Sequence, residues 1–94
     1  MCNRIDLIFK KDIRKLAGNR LGEEIYTNQV RDKINLEEEN VLVFPSYIDD
    51  IAISFVQGFT KAIFEKINKD EFTEYFKIEG NDRVVDKFLK SIYF

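Results

Sequence analysis

An α/β fold, with a small, mixed and partly parallel sheet of about four strands and about three helices packed on it, is what this sequence predicts. Three observations carry that expectation. "VLVF", Val41 to Phe44, is a run of consecutive apolar residues closed by Pro45, the pattern of a central strand covered on both faces. "RIDLIF" near the start alternates with period two, and two stretches after Pro45 repeat their apolar residues with the period of a helix. Strand and helix signals that alternate along a chain imply parallel pairing, right-handed crossovers and helices laid on the sheet.

In "RIDLIF", Ile5, Leu7 and Phe9 fall on one side and Arg4, Asp6 and Ile8 on the other. "KKD" then turns the chain, and Ile13 with Leu16 predicts a second short extended piece before Gly18-Asn19. Asn19 can accept from the free N–H groups of a first helical turn, and Glu23 and Glu24 sit where the helix dipole favours negative charge, so a helix is expected over residues 20–34. Leu21, Ile25, Tyr26, Val30 and Ile34 give it a broad apolar arc. Gly22 lies inside that arc, and since glycine there costs about 1 kcal/mol of helix propensity, it predicts close backbone approach to a neighbour. "NLEEEN" is a polar connector into the strand at 41–44. Beyond Pro45, Ser54 and Gln57 stand in capping-box spacing, and Phe55, Phe59, Ala62, Ile63 and Ile67 form the stripe of the helix that follows. "NKDEF" turns. "EYFKIEG" predicts a strand with Phe76 and Ile78 on one face and Tyr75 and Lys77 on the other. Asn81 caps a last helix carrying Val84, Val85, Phe88, Leu89 and Ile92.

With 94 residues, 45% hydrophobic content and nine phenylalanines, the chain has apolar surface for one core, so residues 1–94 are expected to form a single domain. A formal charge of −2 lacks the basic footprint of a non-specific nucleic-acid binder. There is no histidine, the commonest general base and metal ligand, and the single Cys2 rules out a thiolate metal cluster or an internal disulfide. Glycine-rich phosphate cradles and a GxSxG elbow are absent as well. The expectation is therefore a protein that is not an enzyme, uses no cofactor or metal, and binds neither nucleic acid nor membrane. "MCNRIDLIFKKD" lacks the apolar core of a signal peptide, no run reaches the roughly 18 apolar residues of a membrane span, and a reducing, cytoplasmic setting is expected.

Residues 44–59, "FPSYIDDIAISFVQGF", lead from the end of the apolar strand into the next helix, the edge where open α/β folds place their sites. Asp49, Asp50, Ser54 and Gln57 are accordingly the candidate partner-binding residues. Two adjacent carboxylates fall far short of the roughly six-oxygen cage that Mg²⁺ requires, and their side chains diverge, so neither a metal site nor paired acid–base chemistry is expected. They read as a solvated turn or as a contact for an Arg on a partner. Tyr47, Phe64, Tyr93 and Phe94 leave two readings open, closure of the core or an exposed patch that makes a homodimer.

"VLVFPSYIDDIAISFVQGF" resembles the signature of the STAS-like domain family, a small branch related to anti-sigma-factor antagonists and sulfate-transporter C-terminal domains. Val41, Leu42 and Val43 match its strand, Ile48 and Ile51 its apolar loop positions, and Ser54-Phe55 the Ser-Phe pair that starts its next helix. "NRLGEEI" resembles the family's Arg-then-Gly helix start, and "FKIEGNDRVVDKFLKSI" its closing strand and helix, so the likeness spans residues 18–92. Phe44 stands where the family's strand ends in aspartate, and Ile53 where the antagonists carry the serine that a partner kinase phosphorylates. The resemblance implies a non-catalytic regulatory module of partner-switching signalling that docks through loop 45–58 on a protein, such as an ATP-binding anti-sigma-like kinase of the GHKL type. Ser54 would then either cap its helix or take a phosphate at the helix N-terminus. The small acidic chain, with Glu37, Glu38 and Glu39 in a row, supports an alternative: a phage or mobile-element inhibitor that blocks a host nuclease or defence complex through an acidic surface.

Overall fold

Residues 2–93 are described by a computed structural model. In chain order the elements are β1 (Cys2–Asp6), β2 (Lys15–Leu16), α1 (Asn19–Ile25), which runs on into a π-helical stretch Tyr26–Val30, β3 (Glu39–Val43), β4 (Asp50–Ile51) and α2 (Ile53–Thr60). Short 3₁₀ turns at Ile63–Glu65 and Lys69–Glu71 lead to α3 (Phe72–Tyr75), β5 (Phe76–Glu79) and α4 (Asp82–Ser91). The α/β class is as expected, but the sheet is built differently. β1, β3 and β5 form a three-stranded sheet in that order, β2 and β4 form a two-stranded one, and every described pairing is parallel rather than mixed. Backbone bonding in each sheet runs past the strand ends. The Leu7 N–H donates to the Val43 carbonyl at 2.9 Å, and further along the Asp49 N–H donates to the Arg14 carbonyl at 2.9 Å.

The period-two reading of the first segment holds past the end of β1: Ile5, Leu7 and Phe9 are buried while Arg4, Asp6 and Ile8 are exposed. Register then fixes the two faces of the sheet. Ile5, Leu42 and Ile78 lie side by side in the core, and Arg4, Val41 and Lys77 lie side by side on the opposite face. The expectation that residues 41–44 are covered on both faces is thereby corrected. Leu42 and Phe44 belong to the core cluster, whereas Val41 lies outside it on the other face, where it is nonetheless only 4% exposed. Strands laid down in sequential order by crossovers of one hand put every connecting helix on the same side, which leaves the other side bare.

Phenylalanines fill the space between sheet and helices. Phe44, Phe59 and Phe88 meet pairwise at centroid distances of 6.3, 5.9 and 5.8 Å, and Phe72 stacks on Phe76 at 5.0 Å. Each such ring contributes roughly 2–3 kcal/mol of apolar burial. Of the stripe expected on one helix after Pro45, Phe55 and Phe59 are buried on α2, which stops at Thr60, so Ile63 and Ile67 are buried from the turns beyond it; Val84 and Phe88 are buried on α4 and Ile92 just past its end. Tyr47 and Phe64 pack against this core, which takes them out of the expected sticky patch; Tyr93 is exposed, and Phe94 lies outside the described residues.

Gly22 has the role its position predicts. A Cβ there would stand 2.6 Å from the Phe59 amide nitrogen and overlap the Phe55 carbonyl oxygen. Gly58 on α2 is the reciprocal contact, since its Cβ would meet the Asn19 carbonyl carbon at 2.8 Å. α1 and α2 therefore touch backbone to backbone at two points.

Other local expectations shift. The helix expected over 20–34 begins at Asn19 with Gly18 as its N-cap, at φ 101° and ψ 132°, so Asn19 caps nothing. It continues as a π-helical stretch, closed by the Arg31 N–H donating to the Tyr26 carbonyl, and stops at Val30, whose carbonyl takes the Lys33 and Ile34 N–H groups. Glu74 and Tyr75, expected to open a strand, lie in the helical turn at 72–75 instead, because the Glu71 carboxylate accepts the Asn68 N–H and starts helical turns ahead of Phe76. Asn81 caps α4 as expected, accepting the Arg83 N–H at 3.0 Å.

Two side chains finish the sheet. Asn40, fully buried in β3, accepts from the Asn35 N–H at 2.8 Å and donates to the Asn35 carbonyl at 2.8 Å, locking the turn that precedes the strand. Gln29 accepts the Ile8 N–H at 2.7 Å and donates to the Ile8 carbonyl at 2.8 Å, so an amide side chain takes the place of a neighbouring strand beyond the end of β1.

Candidate functional site

Because all three long strands run the same way, the loops after β1, β3 and β5 gather at one edge, and the corner between β3 and α2 lies in the middle of it. Ile48 is completely buried and anchors that corner from below. The Tyr47 hydroxyl donates to the Phe9 carbonyl, binding the corner to the loop that follows β1.

Asp50 is the most engaged of the four sequence candidates. Its side chain is 23% exposed, and one carboxylate oxygen accepts both from Lys87 Nζ on α4 at 2.7 Å and from the Ile51 N–H at 2.9 Å. The other oxygen faces Lys15 Nζ at 3.9 Å. The Lys87 hydrogen bond holds this carboxyl below its ordinary value against the upward push of partial burial, and the Ile51 N–H and the charges of Lys87 and Lys15 add to the lowering. Asp49 is half exposed and lies 3.8 Å from Arg14. Two carboxylates thus meet three cations, and the corner is braced and neutralised rather than simply acidic.

Ser54 does not cap its own helix. Pairing of β4 with β2 extends to the Ala52 N–H, which donates to the Leu16 carbonyl at 2.7 Å, and the Ala52 carbonyl already accepts from Phe55 and Val56. Ala52 is therefore the N-cap, Ser54 falls within the first turn, and no capping box with Gln57 forms. The Ser54 hydroxyl oxygen instead accepts the Gly18 N–H at 2.9 Å, tying the start of α2 to the start of α1. Gln57 is exposed, at a shallow cleft of about 270 Å³ also lined by Thr60, Lys61, Phe64 and Lys69. The structure thus separates the four residues into two that brace the corner, Asp50 and Ser54, and two that face outward, Asp49 and Gln57.

Sequence reasoning missed the cations. Arg14 and Lys15 sit in the short extended piece between Ile13 and Leu16, where a charged side chain reads as solvated, and Lys87 is 37 residues from the carboxylate it contacts. Only the helical spacing that places Lys87 beside Phe88 hints that it lies near the sheet. Elsewhere, a cleft of about 300 Å³ between α1 and α2 is lined by Glu23, Tyr26, Thr27, Lys61 and Glu65, with Lys61 3.7 Å from Glu23. Among the described residues the buried Tyr26 hydroxyl has no hydrogen-bond partner, and burial raises its pKa above the ordinary phenol value, opposed by Arg31. Among the described residues no three carboxylate or thiol groups come together to hold a metal ion, and no helix is long and apolar enough to cross a membrane.

No known protein-family model, curated protein or solved structure matches this chain. What fold and corner define together is a two-layer α/β domain with a braced strand-to-helix corner.

Proposed function

We propose that this chain is a non-catalytic, protein-binding regulatory module that docks through the corner at residues 45–58, in the manner its resemblance to partner-switching domains implies. The observation that carries the reading is the bracing of that corner. Asp50 to Lys87, Ser54 to Gly18 and Tyr47 to Phe9 tie it to three separate parts of the chain, so its outward groups are held in place before a partner arrives. Preorganisation of that kind lowers the ordering cost of association. Asp49 and Gln57 are the contact residues, Asp50 and Ser54 their supports. A phosphate on Ser54 would displace the Gly18 N–H and add about −2 charge between the starts of two helices, so modification would act as a switch on the corner. An intracellular setting and an ATP-binding anti-sigma-like kinase as partner fit this reading.

The test is capture from native extract by the full chain, with Asp49→Lys/Gln57→Glu as the control surface variant. An ATPase of that type is expected to be retained by the unaltered chain and lost by the double variant, whose melting temperature changes little because Gln57 faces solvent and the Asp49–Arg14 pair is a half-exposed surface contact. Equal capture by both proteins rejects the corner. The second reading rests on the turn before β3, where Glu37 and Glu39 are exposed at the opposite end of the strand. Capture of a nuclease or defence complex that Glu37→Lys/Glu39→Lys abolishes would favour it instead.

A further inference from the structure

The bare face of the three-stranded sheet is anomalous, because all-parallel sheets are almost always covered on both sides. Its residues are arranged in rows. Arg4, Val41 and Lys77 stand in one, and Asp6, Val43 and Glu79 in the next, so a positive row with a valine at its centre lies beside a negative row with a valine at its centre. Cys2 precedes Arg4 on this face by the same alternation, and Ile8, 74% exposed between buried Leu7 and Phe9, continues it beyond Asp6. Within one copy Arg4 donates a hydrogen bond to Glu79 at 3.2 Å, while Arg4 and Asp6 at 3.5 Å and Lys77 and Glu79 at 4.0 Å pair only loosely, and every one of these side chains is at least 36% exposed.

We propose that a second copy of this chain covers this face, related to the first by a two-fold axis lying in the interface midway between the two rows. That rotation keeps each strand position and exchanges the rows. Arg4 of one copy then lies over Asp6 of the other, Lys77 over Glu79, Val41 over Val43, and Cys2 over Ile8. Arg4, Asp6, Lys77 and Glu79 each meet an opposite charge and Val41 meets Val43, which is the self-complementarity an isologous contact requires, while Glu39, level with Cys2 on β3, falls opposite position 45 and meets no charge. Sheets packed face to face sit about 10 Å apart, a distance that an Arg and an Asp reaching toward each other can span. Three strands of about five residues cover far less than the roughly 800 Å² per partner of a standard interface, so the dimer is weak and concentration-dependent. The surface is distinct from the corner at 45–58 and does not depend on the function assigned there.

The experiment is sedimentation of the full chain from micromolar to millimolar concentration, alone and as two charge-reversed forms, Arg4→Glu/Lys77→Glu and Asp6→Lys/Glu79→Lys. The unaltered chain is expected to approach twice the monomer mass at the upper end, and to fall back when salt is raised. Each reversed form faces like charge with like charge and stays monomeric. Their equimolar mixture sets the negative rows of one form against the positive rows of the other and associates again. A chain that remains monomeric throughout leaves the face to solvent or to another partner and overturns the proposal, and so does a mixture that fails to associate while circular dichroism shows both forms folded. Should either form not fold, amide chemical shifts of the unaltered chain decide. Concentration-dependent shifts confined to residues 2–8, 41–43 and 77–79 support the dimer, while their absence, or shifts centred on Tyr93 or the corner, overturns it.

Discussion

Tyr26 and Asp50 show how far a side chain's role depends on what it meets. Tyr26 is 3% exposed and among the described residues its hydroxyl has no partner, so folding buries a polar group without a protein hydrogen bond in return. Tyr26→Phe should therefore raise stability, by about 1 kcal/mol or roughly 4–8 °C in melting temperature for a domain of this size. A comparable fall on calorimetry would mean that the hydroxyl is satisfied after all. Asp50 is the opposite case. Its folded carboxyl ionises below the ordinary value of 3.8, so its stabilisation is complete above that pH and is lost as the pH drops through the lowered folded value. Asp50→Asn should cost about 1 kcal/mol at neutral pH, because Lys15 and Lys87 are exposed enough to regain water. Melting curves of the two proteins should converge in acid. A gap that stays constant with pH would assign the loss to packing instead of charge. The acidic pair was legible in the sequence as a marked position, but the difference between its members was not: it rests on Lys87, which only the folded chain brings near.

Among the elements, α1 and α2 are the pair whose contact is least forgiving. Gly22 and Gly58 bring backbone against backbone, and neither clash has a flexible side chain that could move aside. Either Gly22→Ala or Gly58→Ala should destabilise by about 3 kcal/mol, at the upper end of what overpacking costs. The double variant should cost less than the two added together, since one separation of the helices relieves both overlaps. Additive losses in urea melts would show that the contacts are independent. Gly22 was legible because a glycine gives up both helix propensity and buried area in an apolar arc, a loss that only a close neighbour offsets. Gly58, between Gln57 and Phe59, was given no such role, because its partner backbone at Asn19 comes from a distant part of the chain. The helical turn at 72–75 was missed for a different reason: Asn68 and Glu71 have the spacing of a capping box, and the aromatic run "FTEYF" that follows outweighs it by β propensity.

For the molecule as a whole, periodicity was enough to give the α/β class, the inward sides of β1, β5 and α4, and the edge at which the loops gather. It was not enough to tell a strand covered on both faces from one covered on a single face. "VLV" is apolar in both cases, and the outcome depends on where the crossovers place the helices, which no local pattern contains. The same limit applies to the corner, whose ties reach back to Phe9, Arg14 and Gly18 and forward to Lys87. Docking through that corner requires it to be stiff before anything binds. Native-state amide hydrogen exchange tests this most directly, at Gly18, Asp49, Asp50 and Ala52, whose N–H groups all donate across chain segments. Protection close to that of Leu42 in the central strand is the predicted result; exchange at the rate of an unstructured peptide at these four amides would contradict it.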